Sequence, residues 1–397
     1  MLEKLSDHFR DRDVNYRLLV PLLMSGLLIQ TVTALVRVTI SYRAVALDLS
    51  IAWIGFVAAT FAIFPILIAV RVGRHIDRGH DARTVWIGSA IFFLAMVGFA
   101  VWSTPAGLLV FSAIMGIGHI MLMASQQMVC VRAAGSPRAM ESVFGNFMVS
   151  TSIGQGLGPY IVGFAGGSSR LPPTQLLFEI AAVGALLALC AALMLRPSGA
   201  APASAADTEI VPISQILRIP GLIAVVVAGV ILVSASDVVI VYVPLIGAER
   251  HIDVHDIGLL LTVRAAASMT ARLFYSRMVA AVGRWPLMIA GTLVCGVSYA
   301  IIALPIPLWA MHLDIVVMGF SFGIATTLSV TILVGMTTVG ARGTTNSLRI
   351  MSNRIGQFIM PFGAGLIASV AGLAALFLVL AASMVASGAA MIRKRPA

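Results

Sequence analysis

Residues 153–163 read IGQGLGPYIVG, and residues 355–365 read IGQFIMPFGAG. Both segments contain Ile-Gly-Gln, then Pro four residues after the Gln, then Gly four residues after the Pro. They lie 202 positions apart (355 against 153) in a chain of 397 residues. A second pair of dipeptides, Ile54-Gly55 and Ile257-Gly258, recurs at nearly the same offset. The two halves of the chain therefore repeat each other as whole units.

The composition is that of a membrane protein. Hydrophobic residues make up 59% of the chain and charged residues 11%, and the mean hydropathy is +1.01. Soluble domains have about a quarter charged residues. Since this chain lacks the polar surface to cover a water-soluble globule of its size, we expect it to cross a lipid bilayer many times.

Twelve apolar runs are long enough to span a bilayer, which takes about 20 residues. They must be helices, because lipid offers the backbone no hydrogen-bond partner. We therefore predict an all-α membrane protein with two pseudosymmetric six-helix bundles, at residues 18–196 and 220–392. The twelve predicted spans cover residues 18–42, 51–70, 84–103, 106–131, 143–165, 173–195, 220–244, 257–277, 285–304, 308–335, 345–369 and 371–391.

The connecting segments and their charges predict the orientation. A segment at 1–17, an Ala/Pro/Ser-rich linker at 197–219 and a tail at 393–397 flank the bundles. With the N-terminus in the cytoplasm, 19 Lys and Arg residues fall on that side and only Arg43, Arg170 and Arg250 on the other. Positive residues concentrate on the cytoplasmic side. We therefore expect a protein of the cell (inner) membrane with both termini in the cytoplasm. This asymmetry explains the net charge of +10 without a nucleic-acid partner.

No signal for a cofactor or a catalytic site is visible. The three cysteines, Cys130, Cys190 and Cys295, lie inside apolar runs and predict neither disulfides nor a metal site. The chain has no Gly-x-x-x-x-Gly-Lys-Ser/Thr loop, so we expect no nucleotide as its energy source. Nor does any connecting loop suit a nucleophile–base set, which argues against an enzyme.

Glycine and proline shape spans five and eleven. Glycine lets helices approach closely, and proline breaks the backbone hydrogen-bond ladder, so these residues predict helices that bend; simple packing is the alternative. The residues concerned are Gly154, Gly158, Pro159, Gly163, Pro361 and Gly365. Gln155 and Gln357 occupy one equivalent position in the two halves, which favours amides that line a shared wet cavity.

The loop after span two carries a family resemblance. VGRHIDRGHDAR, residues 72–83, resembles the major facilitator superfamily signature Gly-x-x-x-Asp-Arg/Lys-x-Gly-Arg-Arg/Lys-Arg/Lys, and the likeness covers essentially the whole chain. The fitting residues are Gly73, Asp77, Arg78 and Arg83; His80, Asp81 and Ala82 depart from the signature. The resemblance implies a twelve-helix transporter whose loop latches the cytoplasmic side when the carrier faces outward. The alternative is a plain positively charged loop.

Spans four and five can also be compared with the sequence motifs of this family. Gly154-x-x-x-Gly158-Pro159-x-x-x-Gly163 loosely resembles the span-five antiporter motif, which favours export by exchange. In span four, Ser112 stands where the family often places an Arg. We therefore expect coupling to use other residues.

Ionisable residues inside spans are functional candidates by default, because they cost several kcal/mol unless paired or wet. Arg37, Asp237 and Arg264 each lie about 9–10 Å from the outer end of their spans at 1.5 Å per residue. We hypothesise that Asp237 pairs with Arg264 or Arg37, and that protonation or substrate binding exchanges this pair. His119 is the second coupling candidate. The alternative for Asp237 is a static ion pair, and the alternative for His119 is a hydrogen-bonded packing role. Glu179 and Asp314 lie nearer the ends of their spans, so we expect their side chains to reach the membrane interface.

The remaining candidates concern the substrate. Arg37, Arg264 and Arg354 against one aspartate leave a positive layer, which suits an anionic organic solute. The predicted polar lining consists of Gln30, Gln126, Gln155, Gln357, Asn146 and Asn353. We predict a monomeric, proton-coupled secondary transporter that works by alternating access. The alternatives are a polyspecific drug/proton antiporter and, in another class, a membrane receptor or membrane enzyme.

Overall fold

The computed structural model describes residues 13–195, 215, 218–337 and 342–393. Most of the predicted N-terminal segment (1–17), most of the linker (197–219) and residues 394–397 of the tail lie outside the described residues. The side chain of Asp77 lies outside them too.

The first half of the chain forms six long helices. They are α1 (Tyr16–Ala46), α2 (Ile51–His75), α3 (Asp81–Val101), α4 (Pro105–Ala133), α5 (Pro137–Gly166) and α6 (Thr174–Leu193). Serine and threonine fix the starts of α2, α4 and α5: the side chains of Ser50, Thr104 and Ser136 accept hydrogen bonds from backbone N–H groups three residues on. Pro105 and Pro137 then begin α4 and α5, where a missing N–H costs nothing.

The second half repeats this arrangement. Its helices are α7 (Leu222–Glu249), α8 (Val254–Val282), α9 (Arg284–Ala303), α10 (Leu308–Met336) and the run Arg342–Arg393. Gly372, with φ 84° and ψ 167°, divides that run into two helices, which we number α11 and α12. We call α1–α6 the N-lobe and α7–α12 the C-lobe. The predicted fold class, an all-α membrane protein of two six-helix halves, is confirmed.

Length and composition allow ten helical segments of the described chain to cross a membrane. One of these segments, Leu348–Arg393, holds parts of both α11 and α12. Helix α5 is not among the ten; it carries the polar residues Asn146 and Gln155. Several helices run past the predicted spans, because hydropathy marks the hydrocarbon layer whereas a helix continues into the interface.

Repeat-related glycines join the two lobes crosswise. A Cβ added at Gly55 of α2 would lie 2.6 Å from the Pro361 carbonyl oxygen and 2.8 Å from Gly365 Cα, both on α11. A Cβ added at Gly258 of α8 would lie 2.6 Å from the Pro159 carbonyl oxygen and from Gly163 Cα, both on α5. The repeated Pro and Gly therefore form matching contact points between the lobes.

The contact between the lobes is one-sided. We call the side where α1 begins the terminal side and the side where it ends the distal side. Gly163, Gly156 and Gly145 share one face of α5, since whole helical turns separate them. The nearest atom to an added Cβ lies at 3.0 Å for Gly163 and 3.6 Å for Gly156, and no atom of the described residues lies within 4 Å of one at Gly145.

Helix α2 shows the same change. Gly73 lies 18 residues, or five turns, after Gly55, and an added Cβ there meets no atom within 4 Å of the described structure. The lobes therefore touch near the distal side and diverge toward the terminal side, which is the side predicted to be cytoplasmic.

Two glycines of the first repeated segment pack inside the N-lobe. A Cβ at Gly154 would lie 2.4 Å from the Leu27 carbonyl oxygen, and one at Gly158 would lie 2.5 Å from the Leu35 nitrogen, both on α1. Pro159 and Pro361 lie inside α5 and α11. Close packing on α1 is thus what the structure shows for Gly154 and Gly158, and helix bending in the transport cycle stays a prediction.

The predicted latch loop follows α2. A π-helical turn, Ile76–His80, contains Gly79 at φ 84° and ψ 14°, and α3 begins at Asp81. Arg78 and Arg83 are exposed on the terminal side. Asp81, which departs from the family signature, is 1% exposed and accepts a hydrogen bond from Arg132 of α4 (Nη1 to Oδ1, 3.0 Å). This aspartate therefore ties α3 to α4.

We expect Asp81→Asn to lower the free energy of unfolding by about 1–3 kcal/mol, because the change removes a charged acceptor from the largely buried Arg132 guanidinium. Thermal unfolding of the purified protein in detergent measures this loss. Glu141→Gln, at an exposed position of α5, is the control and should change nothing. Equal stability of the two variants would contradict the structural role of Asp81.

Candidate functional site

A cavity of about 230 Å³ lies between the two lobes. Helices α1, α2, α4 and α5 of the N-lobe and α7, α8, α10 and α11 of the C-lobe line it. Eight of the residues predicted as substrate or coupling residues are part of this lining: Gln30, Arg37, His119, Gln155, Asp237, Arg264, Arg354 and Gln357. The structure thus gathers residues from both halves of the sequence around one space.

Three predicted lining residues are placed elsewhere. Gln126 is fully buried inside the N-lobe and donates a hydrogen bond to Ser25 Oγ at 3.0 Å. Asn146 is exposed, toward the terminal end of α5. Asn353 directly precedes Arg354 on α11, and consecutive helical residues point about 100° apart; it is not part of the lining. These three side chains do not contribute to the cavity in this conformation.

An ion pair connects the lobes at the cavity. Arg37 Nη1 of α1 donates to Asp237 Oδ1 of α7 at 2.6 Å, and the two side chains are only 11% and 12% exposed. The Arg37 guanidinium also lies 5.4 Å from the centre of the Phe61 ring. Of the two partners considered for Asp237, the structure selects Arg37. A charge-assisted bond this short and this buried is among the stronger single contacts that a protein makes.

The guanidinium of Arg264 is a second buried cation beside this pair. Its Nη1 donates to Ser236 Oγ at 2.9 Å, and Ser236 directly precedes Asp237. Its Nε has no hydrogen-bond partner among the described residues. The guanidinium lies 5.8 Å from the centre of the Phe322 ring. Arg264 therefore has a neutral partner and unused donor capacity next to the only carboxylate that the described lining contains.

Two further arginines complete the positive lining. Arg354 Nη1 donates to Gln357 Oε1 at 3.1 Å, one turn further along α11. Arg272 Nη1 of α8 donates to Ser152 Oγ of α5 at 3.0 Å and so connects the lobes. Arg272 was missing from the sequence-based candidates, although it lies within the predicted span 257–277. The rule that marks a charge inside a span as functional would have found it.

His119 of α4 faces the cavity without a hydrogen bond. Its ring is 8% exposed, and neither Nδ1 nor Nε2 has a partner among the described residues. The Phe61 ring lies 5.2 Å away. The hydrogen-bonded packing role considered from the sequence is therefore not what the structure shows. Both ring nitrogens are buried and without a hydrogen-bond partner among the described residues in this conformation.

Among the described residues, the lining has four arginines and one carboxylate. Arg264, Arg272 and Arg354 bond to serine hydroxyls or an amide, and Arg37 alone bonds to a carboxylate. Three cations thus have only neutral partners. Such a site can accept an anionic group, because guanidinium forks bind carboxylates in a bidentate manner.

Solved structures of transporters share this fold. The chain is similar to a mutant of the nucleoside transporter NupG, with a TM-score of 0.80, 14% identity and coverage of 96% of this chain and 100% of that one. It is also similar to a D-xylose-proton symporter, with a TM-score of 0.78, 15% identity and coverage of 96% and 98%.

A third similar structure is a bacterial homolog of the human lysosomal transporter Spinster in an inward-facing and occupied conformation. Its TM-score is 0.74 at 16% identity, with coverage of 95% and 94%. At these identities the likeness establishes the fold. No curated protein matches the sequence.

The sequence itself matches a family profile along its length. The profile of the Major Facilitator Superfamily matches residues 22–245 and again residues 225–397. The two matches cover both halves of the repeat from which the two lobes are built. With the transporter fold described above, this match shows that the chain belongs to the Major Facilitator Superfamily of multi-pass membrane transporters.

Proposed function

We propose that the protein is a secondary active transporter that moves a small organic anion by alternating access and couples this movement to protons. The observation that carries the proposal is the charge of the central cavity, where four arginines face one aspartate. The single-sided contact of the lobes supports alternating access, since it leaves the cavity between a closed distal side and a divergent terminal side.

The neutral partners of three arginines support an anionic substrate. Arg264 and Arg354 bond to Ser236 and Gln357. A carboxylate or phosphate can displace a hydroxyl or an amide without leaving any protein charge unpaired. A cationic drug, by contrast, would have to enter beside four guanidinium groups, with Asp237 as its one attractive partner in the described lining.

The ion pair supports coupling to protons. When a proton binds Asp237, Arg37 loses its carboxylate and becomes free to bind the substrate anion. When the anion binds Arg37 first, Asp237 is released and can take up the proton. In both orders proton and anion favour each other's binding, so we propose that they move together. Export by exchange, which the span-five resemblance favours, would require them to compete.

The substrate class is tested with Arg354→Gln. Thermal-shift titration of the purified protein against short carboxylates and their primary amides should show stabilisation by carboxylates only. In Arg354→Gln we expect the Kd for the carboxylate to rise about tenfold or more, because one charge-assisted bond is lost. The matched control is Arg277→Gln in α8, because Arg277 is exposed and is not part of the cavity lining.

Two results would overturn the anionic assignment. One is stabilisation of the wild-type protein by cationic drugs but not by carboxylates, which would favour the polyspecific drug antiporter. The other is an equal loss of affinity in Arg354→Gln and Arg277→Gln, which would show that the cavity arginine makes no special contact. Whether the proton and the anion bind together is tested separately, by adding the anion to the protein in a weakly buffered solution. If they bind together, the protein takes up protons and the pH of the solution rises.

A further inference from the structure

A groove separate from the central cavity lies between α9 and α10. Its volume is about 450 Å³, and it shares no lining residue with the central cavity. Eight of its ten lining residues are apolar; Ser298 and Asp314 are the exceptions. The complete lining is Leu293, Val294, Val297, Ser298, Ile301, Trp309, Ala310, Leu313, Asp314 and Val317.

The rim of this groove faces the membrane. Val297 of α9 and Trp309 and Leu313 of α10 are 53%, 68% and 61% exposed. In a multi-pass membrane protein, such large exposed apolar side chains on the outside of a helix pair lie against lipid. Trp309 is the second residue of α10 and lies at its distal end, where tryptophan is typical of the membrane–water interface. The molecules that reach this groove are therefore lipids.

The floor of the groove holds a carboxylate with spare acceptor capacity. Asp314 is 7% exposed. Ser298 of α9 lines the groove beside it, and Asp314 Oδ2 has no hydrogen-bond partner among the described residues. The sequence predicted that Asp314 would reach the interface, but the structure buries it in the groove. A buried acceptor without a donor costs free energy, and that cost is removed if a ligand supplies the donor.

We infer that the α9–α10 groove binds a phospholipid whose headgroup carries a primary ammonium. Asp314 lies six residues after the start of α10, at a depth of about 9 Å, so a headgroup bound there sits slightly below the interface while its acyl chains run along Val317 and Leu293. The ammonium supplies both the opposite charge and N–H donors for Oδ2.

Headgroup chemistry makes this inference specific. A trimethylated ammonium carries the same charge but has no N–H to donate. A glycerol headgroup has hydroxyl donors, but its phosphodiester leaves a net negative charge that the carboxylate repels. Phosphatidylethanolamine is therefore preferred over phosphatidylcholine and phosphatidylglycerol, because it alone combines donors with a headgroup cation.

The test compares lipids on the purified full chain. Native mass spectrometry after delipidation and titration with each lipid measures how much is retained. We expect the wild-type protein to retain phosphatidylethanolamine about tenfold better than phosphatidylcholine, as one charge-assisted hydrogen bond predicts. In Asp314→Asn this preference should fall to near parity.

Two variants keep the result interpretable. Glu179→Gln removes an exposed carboxylate near the distal end of α6, where Glu179 already accepts a hydrogen bond from Gln175, and it should keep the full preference. Val297→Trp fills the groove from the lipid side and should remove the preference even if Asp314→Asn fails to fold. Equal retention of the three lipids by the wild-type protein, or an unchanged preference in Val297→Trp, would overturn the inference.

Discussion

Asp237→Asn is expected to abolish uphill accumulation of the transported anion while downhill exchange stays measurable. The asparagine keeps nearly the same shape, but it neither binds a proton nor neutralises Arg37 at 2.6 Å. The cavity keeps its four arginines, so the anion still binds and crosses. The proton gradient loses its binding site, and with it the means to drive accumulation.

Proteoliposomes with an imposed pH gradient measure this effect. Uphill accumulation should fall to the level of protein-free vesicles, and counterflow of labelled against unlabelled anion should remain. Accumulation at the wild-type level in Asp237→Asn would show that no essential proton binds this carboxylate. It would leave the static ion pair as the role of Arg37 and Asp237.

The double variant Arg37→Gln/Asp237→Asn separates coupling from stability. The single variant leaves a buried guanidinium without its partner, which typically costs about 3–5 kcal/mol. Removing both charges should restore most of this stability, because paired polar groups replace the uncompensated cation. Accumulation should stay lost in the double variant, since the proton site is still missing. If stability and accumulation return together, the pair serves only to hold the lobes.

Gly55→Ala and Gly258→Ala are expected to shift the protein away from the conformation described above. Each new Cβ would lie 2.6 Å from a proline carbonyl oxygen in the opposite lobe, and backbone at that distance cannot yield easily. Overpacking of this kind costs about 1–3 kcal/mol, which changes the ratio of two states about five- to 150-fold. States open on the distal side should gain population, and transport should slow because closure on that side is impeded.

Distances between spin labels at Ala46 and Glu249 measure this shift. These two exposed residues lie at the distal ends of α1 and α7, and the exposed Cys190 is first replaced by serine. In both glycine variants, the population of molecules with a longer distance between the two labels should increase. Gly145→Ala is the matched control, because its methyl group enters open space on the α5 face that also carries Gly163. A distance distribution that Gly55→Ala leaves unchanged would contradict the proposed contact.

The fold was largely predictable from the sequence because lipid restricts the backbone to helices, so long apolar runs predict nearly all the spans; α5 is the one that length and composition alone do not identify in the described chain. The repeat at Gly163 and Gly365 then divided the chain into halves. The crosswise contacts with Gly258 and Gly55 were not predictable in the same way. These contacts belong to one conformation of a protein that has several. The sequence is the same in every conformation, so it does not indicate which contacts form in one of them.

The cavity was predictable only in part. Arg37, Asp237 and Arg264 stood out because charges inside apolar spans are rare. The prediction that Gln126 lines the cavity was wrong, because an uncharged amide can also be hydrogen-bonded inside a lobe, where Ser25 accepts its hydrogen bond. Apart from its short polar stretch at 234–237, helix α7 has apolar residues on all sides, so its pattern does not tell which face contacts lipid and which packs in its own lobe.

The position of the ion pair along the chain has a consequence for biosynthesis. Arg37 is made 200 residues before Asp237, which at about 5–20 residues per second is a delay of about 10–40 s. During that time the ribosome has delivered a helix whose arginine opposes insertion, by at most the roughly 2.5–3.5 kcal/mol that an arginine costs at the centre of the bilayer. Its counter-ion emerges only with the first helix of the second half. Neutralisation of the nascent N-terminal half therefore waits for translation of the C-terminal half.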